Sequence, residues 1–254
     1  MPYSIMLDAG HGGRDPGAVY NGRQEKDDAL ALTLAVGEIL QDRGIDVMYT
    51  RTTDVYESPY QKAMEANAAG VDFFISIHRN SYPTDNAVSG VESLVYDKSG
   101  IKLEMAENIN EQLEAVGFVN LGVKARPGLV VLRRTRMPAV LVEVGFINSD
   151  TDNQLFDDNF DDIAIAIAEG ILDTLGGNGV PASSGYTVQT GAYRNRANAE
   201  RLVNELKALD FPADIAEGDR LFRVTVGAFS TLDEAAAMEQ KLRQAGYQTV
   251  IISR

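Results

Sequence analysis

Short, almost unbroken apolar runs alternate with segments of helical period over the first 175 residues, and this alternation constrains the fold more than any other feature. Phe73-Phe74-Ile75-Ser76-Ile77 and Ala139-Val140-Leu141-Val142 lack a polar face, as strands covered on both sides should. Residues 3–7, 45–50 and 90–96 read as further strands. Residues 27–43, 60–69, 101–116 and 160–175 read as helices. Leu30, Leu34 and Ile39 suggest the apolar stripe of the first, and Gly44 and Gly70 close the first two. Parallel strands need crossover connections of helix length. The pattern therefore predicts an α/β domain with a twisted, mostly parallel sheet flanked by helices.

The run Gly176-Gly177-Asn178-Gly179-Val180-Pro181-Ala182-Ser183-Ser184-Gly185 reads as a flexible linker. It separates a domain at 1–175 from one at 186–254. The charge changes across it. Residues 1–185 hold 14 Lys and Arg against 28 Asp and Glu, whereas residues 186–254 hold nine of each. Beyond the linker the chain repeats itself at an offset of 36 residues. Tyr186-Thr187-Val188-Gln189-Thr190-Gly191-Ala192-Tyr193 matches Phe222-Arg223-Val224-Thr225-Val226-Gly227-Ala228-Phe229, and Leu206/Leu242 and Ile215/Ile251 continue the match. Each copy reads strand, helix, strand and cannot bury its apolar face alone. Two copies should share one sheet with both helices on one side, a small α+β domain.

Chemistry is restricted by what is missing. There is no cysteine, so disulfides and thiolates are excluded, and any metal must be held by His, Asp or Glu. No apolar run is long enough to span a bilayer. An acidic body argues against nucleic acid as a partner. The only two histidines, His11 and His78, each follow a predicted strand. The carboxyl ends of parallel strands form one rim, where ligands bind. Two imidazoles on that rim point to a metal. A catalytic zinc takes three protein ligands, and position leaves the third open. Glu25 stands at the start of a helix, where an acid is also favoured by the helix dipole. Asp15, before Pro16-Gly17, also reads as a turn residue, and Asp8 precedes the glycine-rich loop. Glu143 follows the apolar strand 139–142. A carboxylate there is costly to bury without a role, and a general base on the histidine rim would supply one. Arg51 is expected to pair with an acid, Arg133, Arg134 and Arg136 to meet an anionic substrate group or solvent, and Asn80 to orient a ligand or bind substrate.

Four motifs carry a resemblance. Leu7-Asp8-Ala9-Gly10-His11-Gly12-Gly13-Arg14-Asp15-Pro16-Gly17-Ala18, Glu25-Lys26, Ile75-Ser76-Ile77-His78-Arg79-Asn80 and Pro138-Ala139-Val140-Leu141-Val142-Glu143-Val144-Gly145-Phe146-Ile147-Asn148 resemble the zinc-dependent N-acetylmuramoyl-L-alanine amidases. The resemblance spans residues 3–175. It implies that His11, Glu25 and His78 bind Zn²⁺ and that Glu143 is the catalytic glutamate. It also implies cleavage of the amide between the lactyl group of N-acetylmuramic acid and L-alanine of the peptidoglycan stem. The family usually has a small residue where Arg79 stands, and an arginine where Lys62 stands. The repeat at 186–254 resembles a SPOR domain, with an RNA-recognition-like fold. That implies binding to glycan strands stripped of stem peptides. Its zero net charge disfavours nucleic acid, and Gln189, Thr190 and Thr225 are read as exposed polar residues suited to a sugar.

Together these expectations describe a peptidoglycan hydrolase acting at the cell wall. No signal peptide is read at the start of the chain, so the route outward, by export or by release on lysis, is left open. The rivals are a zinc peptidase cutting within the stem peptide and a wall-binding protein without activity.

Overall fold

The computed structural model describes residues 3–176, 186–193, 195–217, 222–229, 232–247 and 249–253. The contacts divide the chain into two compact units, Met1–Thr174 and Leu175–Arg254.

The first unit runs β1 (Ser4–Ala9), a short hairpin of β2 (Val19–Tyr20) and β3 (Arg23–Gln24), α1 (Glu25–Asp42), β4 (Asp46–Tyr49), α2 (Pro59–Ala69), β5 (Phe73–Asn80), β6 (Val91–Val95), α3 (Ile101–Val116), β7 (Asn120–Ala125), α4 (Val130–Arg134), β8 (Ala139–Phe146), α5 (Asp150–Asp158) and α6 (Phe160–Gly176). Six strands form one sheet in the order β4-β1-β5-β8-β6-β7. β4, β1, β5 and β8 are parallel, and β6 alone runs against its neighbour β8 while lying parallel to β7. The sheet is therefore mixed α/β and mostly parallel, as the pattern predicted.

Helices cover both faces. Met6, Phe74, Leu94 and Leu141 pack with Ala66 of α2 and Val131 and Leu132 of α4 on one face. On the other, Ser93 donates to Asn110 of α3 at 2.7 Å. α2 starts from a capping box, in which the Ser58 hydroxyl accepts from the Gln61 N–H and the Gln61 amide oxygen accepts from Ser58 N–H; Gly70 ends it in the left-handed region. α6 lies so close to α3 that a Cβ on Gly170 would come within 2.6 Å of the Ile109 backbone. The buried stripe of α1 is Ala29, Leu32, Val36 and Leu40, not the half-buried Leu30, Leu34 and Ile39 that the spacing suggested. β7, α4 and α5 were not foreseen. β7 is an edge strand interrupted by Gly122 at φ 78°, and α5 is a polar segment started by the Ser149 cap.

The strands that carry the candidate residues are longer than their apolar runs. β5 extends to Asn80 and β8 to Phe146, so His78 and Glu143 stand within strands rather than after them. They are register partners across the β5–β8 pair, and Glu143 faces Glu92 across β8–β6.

The second unit runs β9 (Tyr186–Tyr193), α7 (Arg196–Ala208), β10 (Ala213–Glu217), β11 (Phe222–Phe229), α8 (Leu232–Gln244) and β12 (Val250–Ser253). Its sheet is antiparallel in the order β10-β11-β9-β12. The second strand of each repeat pairs with the first strand of the other. Repeat-equivalent residues Val188 and Val224, and Leu206 and Leu242, meet in one apolar cluster that both helices share. The linker read at 176–185 lies outside the described residues from 177 onward, and Gly176 ends α6. Gln189, Thr190 and Thr225 are not an exposed polar surface: all three are buried, and the Thr190 hydroxyl is turned onto the Val224 carbonyl.

Candidate metal centre

Three elements bring the site together at the carboxyl end of the parallel strands. His11 lies just past β1 with φ 57°, a left-handed conformation that costs a non-glycine residue roughly 1–2 kcal/mol. The loop is tied on both sides of that residue. Gly10 N–H donates to the Ile77 carbonyl at 3.0 Å, and Gly12 and Asp15 exchange backbone bonds. Arg51 braces it further by donating to the carbonyls of Ala9 and Gly10 at 3.1 and 2.8 Å. The expected acid partner of Arg51 is not there; buried carbonyls take its place.

Glu25 is the first residue of α1 and is buried. Its Oε1 lies 3.1 Å from His11 Nε2 and 2.8 Å from His78 Nδ1, and its Oε2 accepts from Ala18 N–H at 2.9 Å. One ligand atom each from His11, Glu25 and His78 lie within 4.8 Å of one another. Burial alone would raise the Glu25 carboxyl and lower the His11 imidazole. Their mutual hydrogen bonds and charges outweigh burial, so Glu25, which also faces His78, is held well below the ordinary carboxylate range. His11, with Asp15 adding to the pull, is raised to about 9.

The two other acids that position left open are occupied. Asp15 Oδ2 sits 2.9 Å from His11 Nδ1, on the far side of the ring from Glu25. Asp8 is buried with its oxygens on Lys62 Nζ at 2.7 Å and on the hydroxyls of Thr50 and Ser76 at 2.7 and 2.6 Å. Lys62, standing where the family has arginine, thus neutralises a carboxylate beneath the site. Arg79 sends its side chain the other way from His78. It donates to Asp28 and Asn153 at 2.7 and 2.8 Å and lies 4.2 Å over the Phe156 ring. Burial lowers it to about 10. Only its backbone N–H reaches the cluster, donating to Glu25 Oε1 at 3.2 Å.

Glu143 is the remaining carboxylate. Its Oε2 is buried and has no hydrogen-bond partner among the described residues. Burial raises it to about 7; His78 opposes the rise, and Glu25 and Glu92 add to it. Glu92 was not foreseen. It is buried, accepts from Asn80 Nδ2 at 3.1 Å and pairs with Lys124. Asn80 therefore holds Glu92 rather than any of the three clustered residues. Arg133, Arg134 and Arg136 precede β8 and stand at its opposite end from Glu143.

A mostly parallel sheet that gathers two imidazoles and two carboxylates at its carboxyl end has the donor set of a metal-dependent hydrolase. Comparison with known proteins narrows the class. Residues 5–173 match the Amidase_3 family model, N-acetylmuramoyl-L-alanine amidase, and residues 182–253 match the SPOR domain. The sporulation-specific N-acetylmuramoyl-L-alanine amidase of Bacillus subtilis (strain 168) is 37% identical over 213 residues, covering 82% of each chain. The endolysin of Bacillus phage SPP1 is 39% identical over 185 residues, covering 69% of this chain and 67% of its own. The crystal structure of the N-acetylmuramoyl-L-alanine amidase from Clostridium difficile 630 superposes with a TM-score of 0.66 at 31% identity, over 70% of this chain and 99% of that one. The chain belongs to the N-acetylmuramoyl-L-alanine amidase family, with a SPOR domain after the amidase domain.

The crowding at the cluster gives a direct prediction. A Cβ on Gly17, at φ +66°, would lie 2.6 Å from both Glu25 Oε2 and His11 Cδ2. Gly17→Ala displaces two of the three clustered side chains without altering either. We expect the affinity of the cluster for an added divalent metal ion to fall by about 10–100-fold, as when a residue orienting a ligand is changed. Competition with a chromogenic chelator measures it, and unchanged affinity would show that the loop yields without moving the cluster.

Proposed function

We propose that residues 1–175 form a zinc-dependent N-acetylmuramoyl-L-alanine amidase. It hydrolyses the amide between the lactyl group of N-acetylmuramic acid and L-alanine of the stem peptide. Residues 186–254, after a linker at 176–185, hold the enzyme on glycan strands. In this reading His11, Glu25 and His78 hold Zn²⁺ and Glu143 is the general base. One observation carries it: a half-buried carboxylate, with one buried oxygen unpartnered among the described residues, stands in register with one imidazole of a converging His–Glu–His set. The donors suit zinc. Asp15 takes Nδ1–H of His11 and leaves Nε2 as the ligand atom, the usual outer support of a metal-bound imidazole.

When bound, zinc supplies Lewis acidity toward a carbonyl oxygen and lowers the pKa of a water. The protein does the rest. Glu143, raised toward neutrality, takes a proton from the attacking water and returns it to the leaving nitrogen of L-alanine. The SPOR domain raises the local concentration of substrate by tethering. It would hold the enzyme near its own product, because amide cleavage leaves glycan without stem peptides. Action on the wall sets the working place outside the cytoplasmic membrane. Among the described residues no helix is long and apolar enough to cross a membrane.

Mass spectrometry of digested peptidoglycan tests the assignment against a zinc peptidase using the same chemistry. Peptides beginning with free L-alanine, together with lactyl-terminated glycan, are expected. Cleavage confined to bonds within the stem peptide would overturn the amidase reading.

A further inference from the structure

We propose that an arginine-bordered groove at the amino end of β8 binds a phosphodiester polymer of the wall, the guanidinium groups taking its phosphate oxygens. The choice of a wall polymer rests on the function proposed above; the groove itself does not. Residues 1–185 are strongly acidic, yet four of their 14 basic residues fall between positions 126 and 136. Arg126, Arg133, Arg134 and Arg136 are all exposed, and none forms an ion pair among the described residues. The unit carries twice as many acids as bases, and still none of its described acids forms an ion pair with them. Like charges left unpaired and close together gain nothing for the fold.

The residues beside these arginines form a receptacle. A cavity of about 460 Å³ opens between Tyr96 and Lys102 on one side and Arg133, Thr135, Arg136 and Met137 on the other. The acid on its wall, Asp97, is already satisfied by Lys102 Nζ at 2.9 Å and by the Ser99 hydroxyl. Arg126 joins the same end of the sheet, because its N–H donates to the Val95 carbonyl next to Tyr96. Guanidinium groups match phosphate and carboxylate oxygens in pairs, and Tyr96, 43% exposed, offers a ring for an apolar or sugar face. Ala139 at the groove and Glu143 at the catalytic end are four residues apart on one strand, about 13 Å. An occupant of the groove would therefore leave the scissile amide free, and the two ends could hold one wall at once.

The test uses the full chain and a double variant, Arg133→Glu with Arg136→Glu. Binding is measured by sedimentation with intact cell walls and with walls stripped of phosphodiester polymers by hydrofluoric acid. The SPOR domain contributes to both proteins alike, so their difference reports the groove. We expect the variant to bind intact walls roughly tenfold more weakly, the scale of two or more exposed ion pairs lost or reversed. The gap should narrow as salt is raised. A loss confined to intact walls supports the proposal; an equal loss on both preparations would put stem-peptide carboxylates in the groove instead and overturns it. Equal binding of variant and wild type to both preparations overturns it. Hydrolysis of a small soluble muropeptide should be the same for the two proteins. If neither hydrolyses it, the amidase reading fails while the binding comparison still stands.

Discussion

Glu143→Gln should lower amide hydrolysis by about 10²–10⁴-fold while leaving zinc binding intact, the loss expected when a general base is removed. The two halves of that expectation come from different features. Glu143 lies across the β5–β8 register from His78, but it is outside the cluster that His11, Glu25 and His78 form. Its Oε2 has no partner among the described residues, so glutamine fits the same space without breaking a bond seen there. The same substitution should change stability in a pH-dependent way. In the metal-free protein the Glu143 carboxyl is raised from 4.5 to about 7, chiefly by burial. Below pH 4.5 the group is neutral whether folded or unfolded, and its ionisation costs nothing. Between 4.5 and 7 the unfolded chain ionises first, so wild type loses stability, by about 3 kcal/mol once pH exceeds 7. Glu143→Gln escapes that loss. Denaturant unfolding of metal-free protein should find the variant similar to wild type near pH 4 and more stable at pH 8. A variant that still turns over would remove Glu143 from the mechanism, and one that loses zinc would make it a ligand.

The architecture was legible because buried parallel strands leave a strong mark. The runs 73–77 and 139–142 located β5 and β8, but both strands continue past the last aliphatic residue. The residues that end the apolar pattern, His78 and Glu143, remain in the ladder as register partners, so polarity of the side chain does not mark the end of the strand. The third member of the cluster was not legible from position. Glu25, Asp15 and Asp8 all stand near His11 in sequence, and what separates them is tertiary. Lys62, fifty-four residues away, claims Asp8; Asp15 reaches the outer nitrogen of His11; only Glu25 reaches both rings. The family resemblance chose Glu25, and spacing did not. Arg51 misled for a related reason. A lone arginine in an acidic domain suggests an acid partner, whereas a strained loop with outward carbonyls needs donors just as much. The same limit applied to Gln189, Thr190 and Thr225, because polarity alone does not tell which side of a sheet is covered.

The distinction between Glu25 and Asp15 leads to the second large effect. His78→Ala should weaken zinc binding by on the order of 10³-fold or more, above the 10–100-fold typical of a residue that only orients a ligand. Asp15→Ala, which removes a partner of His11 but none of the three clustered donors, should stay within that lower range. The pair separates a donor from its support. Activity should follow. Asp15→Ala should regain turnover as zinc is added, because the three donors remain. His78→Ala should resemble chelator-treated wild type and not recover. Stability gives a readout independent of turnover. Zinc present at 100 times its dissociation constant stabilises a folded protein by about 2.7 kcal/mol. Wild type should therefore melt several degrees higher with zinc than without, Asp15→Ala should need more zinc for the same rise, and His78→Ala should show none. His78 is half-buried at the rim, and its loss leaves Glu25 still hydrogen-bonded to Ala18 N–H and to His11. The variant should accordingly fold, so absent metal would not be a trivial result of unfolding. Stoichiometric zinc in a folded His78→Ala would move the metal off the cluster and take the proposed role of Glu143 with it, since that role depends on a water held beside His78.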